Sequence, residues 1–481
     1  MSIWHDDDHP HDECGVFGVV APGRDVSRLT FFGLHALQHR GQESAGIAVS
    51  DGRHILVQRE LGLVGQVFDE PALRSLTGHA AIGHVRYSTT GANKWDNAQP
   101  VARGFGTGLV ALGHNGNLTN TDRLRRMLEE RGEVLDATTD SELVAALLAQ
   151  DASGSLLDAV CRVMPELQGA FSVVCMTEGE LVAFRDRHGV RPLCIGWLEG
   201  GWCVASETCA LDQIGAEFLR EVRPGEAVRV SAEGVESRQA LEPARRALCV
   251  FETIYFARPD SRIDGMNIWE ARHAMGRVLA EEGPAQADLV VGLPDSGTPA
   301  AIGYAQASGI PYAEAVVRNR YVERSFIQPD QGLRQHGVRL KFNPLPAVIA
   351  GKRLVVVDDS IVRGTTTHKT VAMLFEAGAR EVHLRISSPP VAWPCFYGID
   401  MPSRDELVAA RSADVEDVRR VVGATSLGYL SPDGLQRALG RPADRFCRAC
   451  FTGEYPISIP DSTTKLRFED REAAGRVSAP A

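Results

Sequence analysis

Cys14 is the first residue of the chain whose type and setting could do chemistry. It follows a polar leader, MSIWHDDDHPHDE, and precedes Gly15 and an apolar run that reads as a strand. Free cysteine is among the most buried residue types, so a small core side chain is one interpretation. The other is a nucleophile that becomes the first residue once the leader is removed.

A second candidate site lies in RLVVVDDSIVRGTTTHK (353–369), where an apolar strand ends in Asp358 and Asp359. A loop containing Gly364 and the first of three threonines then leads into a helix. Free N–H groups at a helix start hold phosphate well, and glycine lets the backbone approach it closely. The two acids suit ribose hydroxyls or a Mg²⁺ ion shared with pyrophosphate. Adjacent acids that close a buried strand argue against an ordinary turn with threonine caps, and the spacing is not that of a Walker A loop.

The ten cysteines form two groups besides Cys14. Cys447 and Cys450 make a C-x-x-C pair, and Cys249 and Cys395 lie in other apolar segments. Four thiolates suit Zn²⁺ or an iron–sulfur cluster, although C-x-x-C alone also fits a redox pair or chance. The remaining cysteines are expected in the core: Cys161, Cys175, Cys194, Cys203 and Cys209.

A cationic segment, residues 316–342, carries six basic side chains against only Glu323 and Asp330. The basic residues are Arg318, Arg320, Arg324, Arg334, Arg339 and Lys341. In a chain of net charge −11 this concentrates positive potential where a polyanion could bind. The segment is predicted to be a lid over pyrophosphate, and a solvated loop is the alternative.

Composition limits the class of protein. A length of 481 residues suggests two to four domains, and the net charge of −11 argues against general nucleic-acid binding. No apolar stretch is long enough for a membrane span, and the leader lacks the features of a secretory signal. The cysteines are too sparse for a disulfide scaffold. We expect a cytoplasmic protein whose leader is solvated rather than metal-binding.

The elements that position these residues fall into two halves. From Cys14 to about Val230, short strand-like runs such as SAGIAVS and AFSVVCM alternate with turns, which indicates a layered α+β domain. Helices are predicted over TNTDRLRRMLEERG and TTDSELVAALLAQ, the second with Thr139 and Glu142 at capping-box spacing.

After about residue 248, the continuous apolar runs ADLVVGLP, IPYAEAVV, KRLVVVDD and REVHLRISS indicate a parallel sheet buried on both faces. The helix over TTTHKTVAMLFEAG is predicted to bury Val371, Leu374 and Phe375. Ligands of such sheets bind beyond the carboxyl ends of the strands.

The 353–369 segment resembles the PRPP-binding loop of type I phosphoribosyltransferases. The resemblance implies that Asp358 and Asp359 hold ribose and metal and that Ser296, in PDSGTPAA, faces pyrophosphate and Mg²⁺. The implied loop residues around the 5′-phosphate are Ser360, Arg363, Gly364, Thr365, Thr366 and Thr367, with Lys341 from the lid.

The first half resembles the glutaminase domain of the N-terminal-nucleophile amidotransferases, in LQHRGQESAG, GHVRYSTTG, GHNGNLTN and TDSE. In that family the cysteine is residue one and its α-amine, of pKa about 7.7–8.0, is the general base. Cleavage between Glu13 and Cys14 is then required. By matching position, Arg86 clamps the substrate carboxylate, Asp140 takes its ammonium, and Asn115 with the Gly116 N–H forms the oxyanion hole. Taken one at a time, these residues also have structural interpretations: Arg86 could pair with an acid, and Asn115–Gly116 could be a turn.

Both halves on one chain, from Cys14 to about Pro456, resemble the glutamine phosphoribosylpyrophosphate amidotransferases. The implied fold is a four-layer αββα glutaminase domain (14–245) behind a propeptide (1–13), followed by an α/β phosphoribosyltransferase domain (246–481). The implied reaction is glutamine, PRPP and water to 5-phosphoribosylamine, glutamate and pyrophosphate, the first step of purine biosynthesis. The leader and the cysteines match the branch that holds a 4Fe–4S cluster, here through Cys249, Cys395, Cys447 and Cys450.

The family also implies a homotetramer inhibited by AMP and GMP. Two other functions were weighed: a PRPP-sensing regulator on the same fold, and an amidotransferase with another acceptor. The complete glutaminase motifs argue against the first, and the PRPP loop argues against the second.

Overall fold

The computed structural model describes residues 14–87, 94–135, 137–319, 342–401 and 403–460. The predicted propeptide lies outside these ranges, as do Lys341 and all the basic residues of the cationic segment except Arg318. Within the described ranges, no helix has both the length and the apolar character needed to cross a membrane.

Two antiparallel sheets form the first half. Their strands are β1 (Gly15–Val20), β2 (Ser44–Ser50), β3 (Ile55–Leu61), β4 (Ala80–Arg86), β5 (Val101–Phe105), β6 (Gly108–Leu118), β7 (Gly169–Met176), β8 (Leu181–Arg185), β9 (Cys194–Leu198), β10 (Gly201–Ala205), β11 (Glu217–Glu221), β12 (Glu226–Val230) and β13 (Val235–Gln239). One sheet has the order β11-β9-β10-β1-β4-β2-β3 and the other β13-β12-β8-β7-β6-β5. β1 lies near the middle of the first sheet, so the residue before it is held from both sides.

Helices cover the outer face of each sheet. They are α1 (Val26–Ala36), α2 (Val64–Val67), α3 (Glu70–Ser75), α4 (Thr121–Glu130), α5 (Asp140–Gln150), α6 (Leu156–Val163) and α7 (Thr208–Gln213). Val16 and Val174 pack in the core between the sheets, Phe17 faces α1, and Phe171 faces α5 and α6. The alternation of facing directions along β1 and β7 produces these separate cores. The result is the predicted four-layer αββα arrangement.

The second half is built on a four-stranded parallel sheet of order β17-β20-β21-β22. Its strands and the small accessory strands are β14 (Leu248–Cys249), β15 (Arg262–Ile263), β16 (Met266–Asn267), β17 (Leu289–Gly292), β18 (Val316–Arg318), β19 (Phe342–Pro344), β20 (Arg353–Asp358), β21 (Glu381–Ile386), β22 (Ser426–Tyr429) and β23 (Phe446–Cys447). β17 and β20 contribute apolar residues to a core on each face of the sheet, as their continuous apolar runs predict, whereas β22 is half-buried.

The helices of this half are α8 (Ile268–Glu282), α9 (Gly297–Ser308), α10 (Pro346–Ile349), α11 (Thr365–Glu376), α12 (Val408–Arg411), α13 (Val415–Val422), α14 (Pro432–Leu439) and α15 (Ala449–Thr452). A single π-helical turn, Glu252–Phe256, follows β14. α9 and α11 each begin just beyond the carboxyl end of a sheet strand, so their N-termini face the same edge.

Two local predictions in this half are wrong. IPYAEAVV (310–317) is not a strand of the main sheet: Tyr312 makes one parallel bridge to Val290, and β18 pairs with β19 instead. Pro311 lacks the N–H that a ladder needs. Phe375 is 37% exposed, because the buried face of α11 runs through Thr367, Val371 and Leu374 and Phe375 lies one residue beyond it.

Candidate functional site

Cys14 lies at the floor of a small pocket in the first half. Its side chain is buried, and its Sγ donates to the Tyr87 carbonyl at 3.5 Å. The pocket is lined by Cys14, Arg86, Tyr87, Gln99, His114, Gly116, Thr139, Asp140 and Ser141. Four of the five predicted glutaminase residues therefore meet there, from segments up to 126 positions apart (14 to 140).

Four elements position these residues. β1 pairs with β4, which ends at Arg86, and β6 carries His114 and Gly116. α5 begins at Asp140, whose Oδ2 accepts from the Leu118 N–H at 2.9 Å and whose Oδ1 lies 3.4 Å from His114 Nδ1. The carboxylate is therefore fixed to the strand that carries the predicted oxyanion hole.

Arg86 is buried and lies at the edge of the pocket. Its Nη1 is 3.9 Å from Glu43 Oε2, so it does face an acid, as the simpler interpretation expected. The contact is long, and the guanidinium still lines the pocket. Arg86 therefore faces an acid, as the structural interpretation expects, and also lines the pocket, as the functional interpretation expects.

Asn115 adjoins the pocket without lining it. It is 1% exposed, and neither its Nδ2 nor its Oδ1 has a hydrogen-bond partner among the described residues. Gly116 has φ +144°, and a Cβ there would lie 2.1 Å from the Ala170 carbonyl oxygen, so only glycine fits. The Asn115–Gly116 pair lies within β6, between β5 and β7, and is not a hairpin turn.

The electrostatics of the pocket favour a neutral thiol and an ionised acid. Burial raises the pKa of the Cys14 thiol to about 11. Burial also opposes ionisation of Asp140, but His114 and the N–H groups of Leu118 and Ser141 outweigh it and hold the pKa of Asp140 below its usual range. The Cys14 thiol therefore needs a base to lose its proton at neutral pH, whereas the Asp140 carboxylate is negatively charged.

The capping-box prediction is wrong. Thr139 is the N-cap residue of α5, but its side chain makes no capping bond. Glu142 instead accepts from the Ala137 N–H and from Arg103 Nη2, both at 2.8 Å. Thr139 Oγ1 is buried, lines the pocket and has no partner among the described residues, so Thr139 is a functional candidate that sequence reasoning missed.

The other missed pocket residues lie close to motifs that the sequence did reveal. Tyr87 follows Arg86, His114 precedes Asn115, and Ser141 follows Asp140. Gln99 is different, because no motif marks it; its Oε1 accepts from the His114 N–H at 2.8 Å.

The second candidate site lies at the carboxyl edge of the parallel sheet. Asp358 ends β20, and both Asp358 and Asp359 are buried. Asp359 Oδ1 accepts from Ser360 Oγ at 2.6 Å and its Oδ2 from Ser296 Oγ at 2.5 Å. Gly297, where a Cβ would lie 2.6 Å from the Val357 carbonyl oxygen, allows the two loops to meet.

The loop after Asp359 leads into the start of a helix, as predicted. Gly364 is the N-cap of α11 with φ +83°, and the helix begins at Thr365. Thr366 and Thr367 are buried, and Arg363 lies 3.4 Å from Glu406. In the described part of the cationic segment, Arg318 pairs with Asp295 of the Ser296 loop at 2.7 Å, which places that basic residue beside the site.

The acids fit a magnesium ion that arrives with substrate. No group of three or more His, Cys, Asp and Glu residues in the described ranges is arranged to hold a metal ion. Mg²⁺ is commonly held by one or two carboxylates together with substrate phosphates, which matches Asp358 and Asp359 beside a phosphate cradle.

Three segments bring the four predicted cluster cysteines together. Cys249 pairs with Cys447 across β14 and β23, and the Cys450 carbonyl accepts from the N–H groups of Ala392 and Trp393 at 3.0 and 3.1 Å. The Cys450 thiol interacts electrostatically with those of Cys447, Cys249 and Cys395. Burial raises the pKa of the Cys249 and Cys447 thiols to about 12.

Four thiolates from these segments could hold Zn²⁺ or an iron–sulfur cluster. Of the five cysteines predicted to be core, Cys175, Cys194, Cys203 and Cys209 are buried and Cys161 is half-buried.

Comparisons with known proteins agree with both halves. A glutamine amidotransferase domain family matches residues 84–213. The amidophosphoribosyltransferase of Mycobacterium tuberculosis is 55% identical over 465 residues, covering 94% of this chain and 88% of that protein. The amidophosphoribosyltransferase of Bacillus subtilis is 46% identical over 458 residues, covering 94% of this chain and 96% of that protein.

Solved structures extend the similarity to the fold. Glutamine PRPP amidotransferase from B. subtilis, complexed with ADP and GMP, superposes with a TM-score of 0.89 at 45% identity, covering 94% of this chain and 100% of that chain. A structure of the allosteric regulatory enzyme of purine biosynthesis gives 0.89 at 46% identity, covering 94% and 98%.

Proposed function

The chain belongs to the amidophosphoribosyltransferase family, and from that premise we propose which of its residues carry each step. The enzyme converts glutamine, PRPP and water to 5-phosphoribosylamine, glutamate and pyrophosphate, the first step of purine biosynthesis. The PRPP-sensing regulator is thereby set aside, because relatives matching 94% of the chain are this enzyme.

Cys14 is the nucleophile of the glutaminase half. Its thiol has a pKa near 11 in the buried pocket and needs a base. Removal of residues 1–13 as a propeptide would leave a Cys14 α-amine of pKa about 7.7–8.0, which can take the thiol proton at neutral pH. The thiolate then attacks the glutamine amide carbon, and the C–N bond breaks as the protonated α-amine returns the proton to the departing ammonia. Water then hydrolyses the resulting Cys14 thioester, which releases glutamate and restores the thiol.

The pocket supplies complementary groups for the rest of glutamine. Arg86 binds the α-carboxylate and ionised Asp140 binds the α-ammonium, since both residues line the pocket. Asn115 Nδ2 and the Gly116 N–H stabilise the oxyanion of the tetrahedral intermediate. The unpartnered amide of Asn115 supports this role, because a buried amide without a partner is costly unless a ligand completes it.

The PRPP site lies at the edge formed by Asp358, Asp359 and the 360–367 loop. Backbone N–H groups at the start of α11 receive the 5′-phosphate, with Ser360, Arg363 and the threonines beside them. Asp358 and Asp359 hold ribose hydroxyls, and Ser296 faces the pyrophosphate. Asp358 and Asp359 would also hold Mg²⁺, which would supply positive charge for the departing pyrophosphate.

Other properties follow from the family. The four cysteines hold a structural 4Fe–4S cluster, since nothing in the reaction requires electron transfer. Lys341 and the cationic segment cover pyrophosphate. Purine nucleotides such as AMP and GMP inhibit a cytoplasmic homotetramer, in keeping with the nucleotides bound to the B. subtilis enzyme.

The observation that carries the glutaminase assignment is the convergence of Cys14, Arg86, Gly116 and Asp140 on one pocket. N-terminal sequencing of active protein tests it, and the expected sequence is CGVFG. Active protein that still begins at Met1 would contradict the α-amine mechanism.

A further inference from the structure

A series of buried, oppositely charged side chains connects Cys14 to the second half of the chain. Arg40, whose side chain is fully buried, donates from Nε to the Cys14 carbonyl at 3.1 Å. Its Nη1 and Nη2 donate to the two carboxylate oxygens of Glu252 at 3.1 and 2.7 Å. Glu252 opens the π-helical turn after β14, 212 positions beyond Arg40.

The same carboxylate faces a second buried arginine. Arg191 Nη1 lies 3.7 Å from Glu252 Oε1, and both side chains are fully buried. Arg191 Nε and Nη2 donate to the Tyr397 carbonyl at 3.0 and 2.7 Å. Glu252 therefore connects the carbonyl of the nucleophile with the backbone of a turn in the second half.

That turn packs directly against the oxyanion strand. Gly398 has φ +105°, and a Cβ there would lie 2.9 to 3.0 Å from the backbone atoms of Gly116. One residue further along β6, Asn117 Nδ2 donates to the Phe396 carbonyl at 2.9 Å. The second half thus touches the glutaminase machinery at two independent points.

Because these buried charges compensate one another, the group is sensitive to the substitution of any one of its members. Burial opposes the charge on Arg40, but the carboxylates of Glu252 and Glu207 outweigh it and raise the pKa of that guanidinium. Each of these buried charges has an opposite charge beside it. A single neutral substitution would leave a buried charge uncompensated, which is far less favourable than the intact set.

We propose that Glu252 and the Tyr397–Gly398 turn are positioning residues for glutamine hydrolysis, supplied by the phosphoribosyltransferase half. Glu252 fixes the Cys14 carbonyl through Arg40, and the turn fixes the Gly116 backbone. Neither Glu252 nor the turn lines the glutamine pocket. The glutaminase site is therefore incomplete without the second half, an inference that rests on the roles assigned above to Cys14 and Gly116.

Two variants with matched controls test the proposal. Glu252→Gln removes the shared charge, and Gly398→Ala places a methyl group against Gly116. The controls are Arg385→Lys, a buried arginine whose donors meet the Gly283 and Leu384 carbonyls within the second half, and Gly440→Ala, a positive-φ glycine with open space around it. Each purified protein is assayed for glutamine hydrolysis and for ammonia-dependent release of pyrophosphate from PRPP.

We expect both test variants to lower kcat for glutamine by about tenfold or more with KM within about threefold, since the loss is confined to the transition state. Ammonia-dependent activity stays within about twofold, and both controls resemble the parent. If Glu252→Gln does not fold, Gly398→Ala tests the same claim.

A parallel loss of both activities in the test variants, a change in KM alone, or unchanged kinetics would overturn the proposal. Absence of both activities from the unsubstituted chain would overturn it differently, by removing the assigned reaction on which it rests.

Discussion

At the scale of single residues, Asn115 gives the sharpest prediction. Both polar atoms of its side chain are buried without a partner among the described residues. We expect Asn115→Ala to lower kcat for glutamine by about 10²–10³, the usual effect of deleting one oxyanion-hole donor. Ammonia-dependent phosphoribosylamine formation, measured in the same preparation, stays unchanged.

Asn120→Ala is the matched control for that substitution. Asn120 is also buried near the end of β6, but its amide already bonds the Glu166 carbonyl and the Gln168 N–H. We expect Asn120→Ala to change the free energy of unfolding more than it changes kcat. Equal kcat losses for the two variants would count against the oxyanion assignment.

At the scale of elements, we expect the carboxyl edge of the parallel sheet to carry the PRPP chemistry. Asp359→Asn should reduce pyrophosphate release by on the order of 10²-fold or more with either glutamine or ammonia, since charge at a metal-assisted centre contributes several kcal/mol. Basal glutamine hydrolysis persists but no longer responds to PRPP.

Asp288→Asn provides the contrast on the same sheet. Asp288 lies at the amino edge, just before β17, and pairs with Arg353 at 2.8 Å. This variant should retain both activities. If Asp359→Asn kept normal pyrophosphate release, the PRPP site would lie elsewhere.

The elements also show how far sequence reasoning reaches. Strong local patterns predicted β1, β2, β20 and α11, because periodicity and flanking glycines are properties of short segments. The same reasoning failed for Phe375 and for the capping of α5, where tertiary neighbours decide. Glu142, in α5, bonds Arg103 of β5, and no local pattern contains that partner.

The site was predictable to a similar degree. The motifs that contain Cys14, Arg86, Gly116 and Asp140 are recognisable from their residue types and spacing. The structure places all four residues around one pocket. Gln99 and Glu252 were not predictable, since each acts through a contact with a distant segment. The Arg40–Glu252 pair spans 212 positions and leaves no signature at either end.

At the scale of the whole molecule, backbone contacts bring β14, β23 and the 392–393 segment together around the four cysteines proposed to hold the cluster. Cys395→Ser should abolish iron–sulfur absorbance in anaerobically purified protein. We also expect the free energy of unfolding of this variant to fall by about 2 kcal/mol or more. That loss would lower its Tm, measured by calorimetry, by roughly 4–8 °C.

Cys161→Ser, at a half-buried cysteine outside the set, is the control and should keep both absorbance and Tm. Because Glu252 and Tyr397 lie within three residues of Cys249 and Cys395, loss of the cluster should also impair glutamine hydrolysis. Wild-type absorbance and Tm in Cys395→Ser would contradict the cluster assignment.

The central claim is that a Cys14 glutaminase and a PRPP site operate as one coupled enzyme. The most direct test is glutamate release from glutamine by anaerobically purified protein, with and without PRPP and Mg²⁺. We predict stimulation by PRPP of roughly tenfold or more, a coupling of ordinary size between two sites. Equal release in both conditions, or no release from protein with a free Cys14 terminus, would contradict the account.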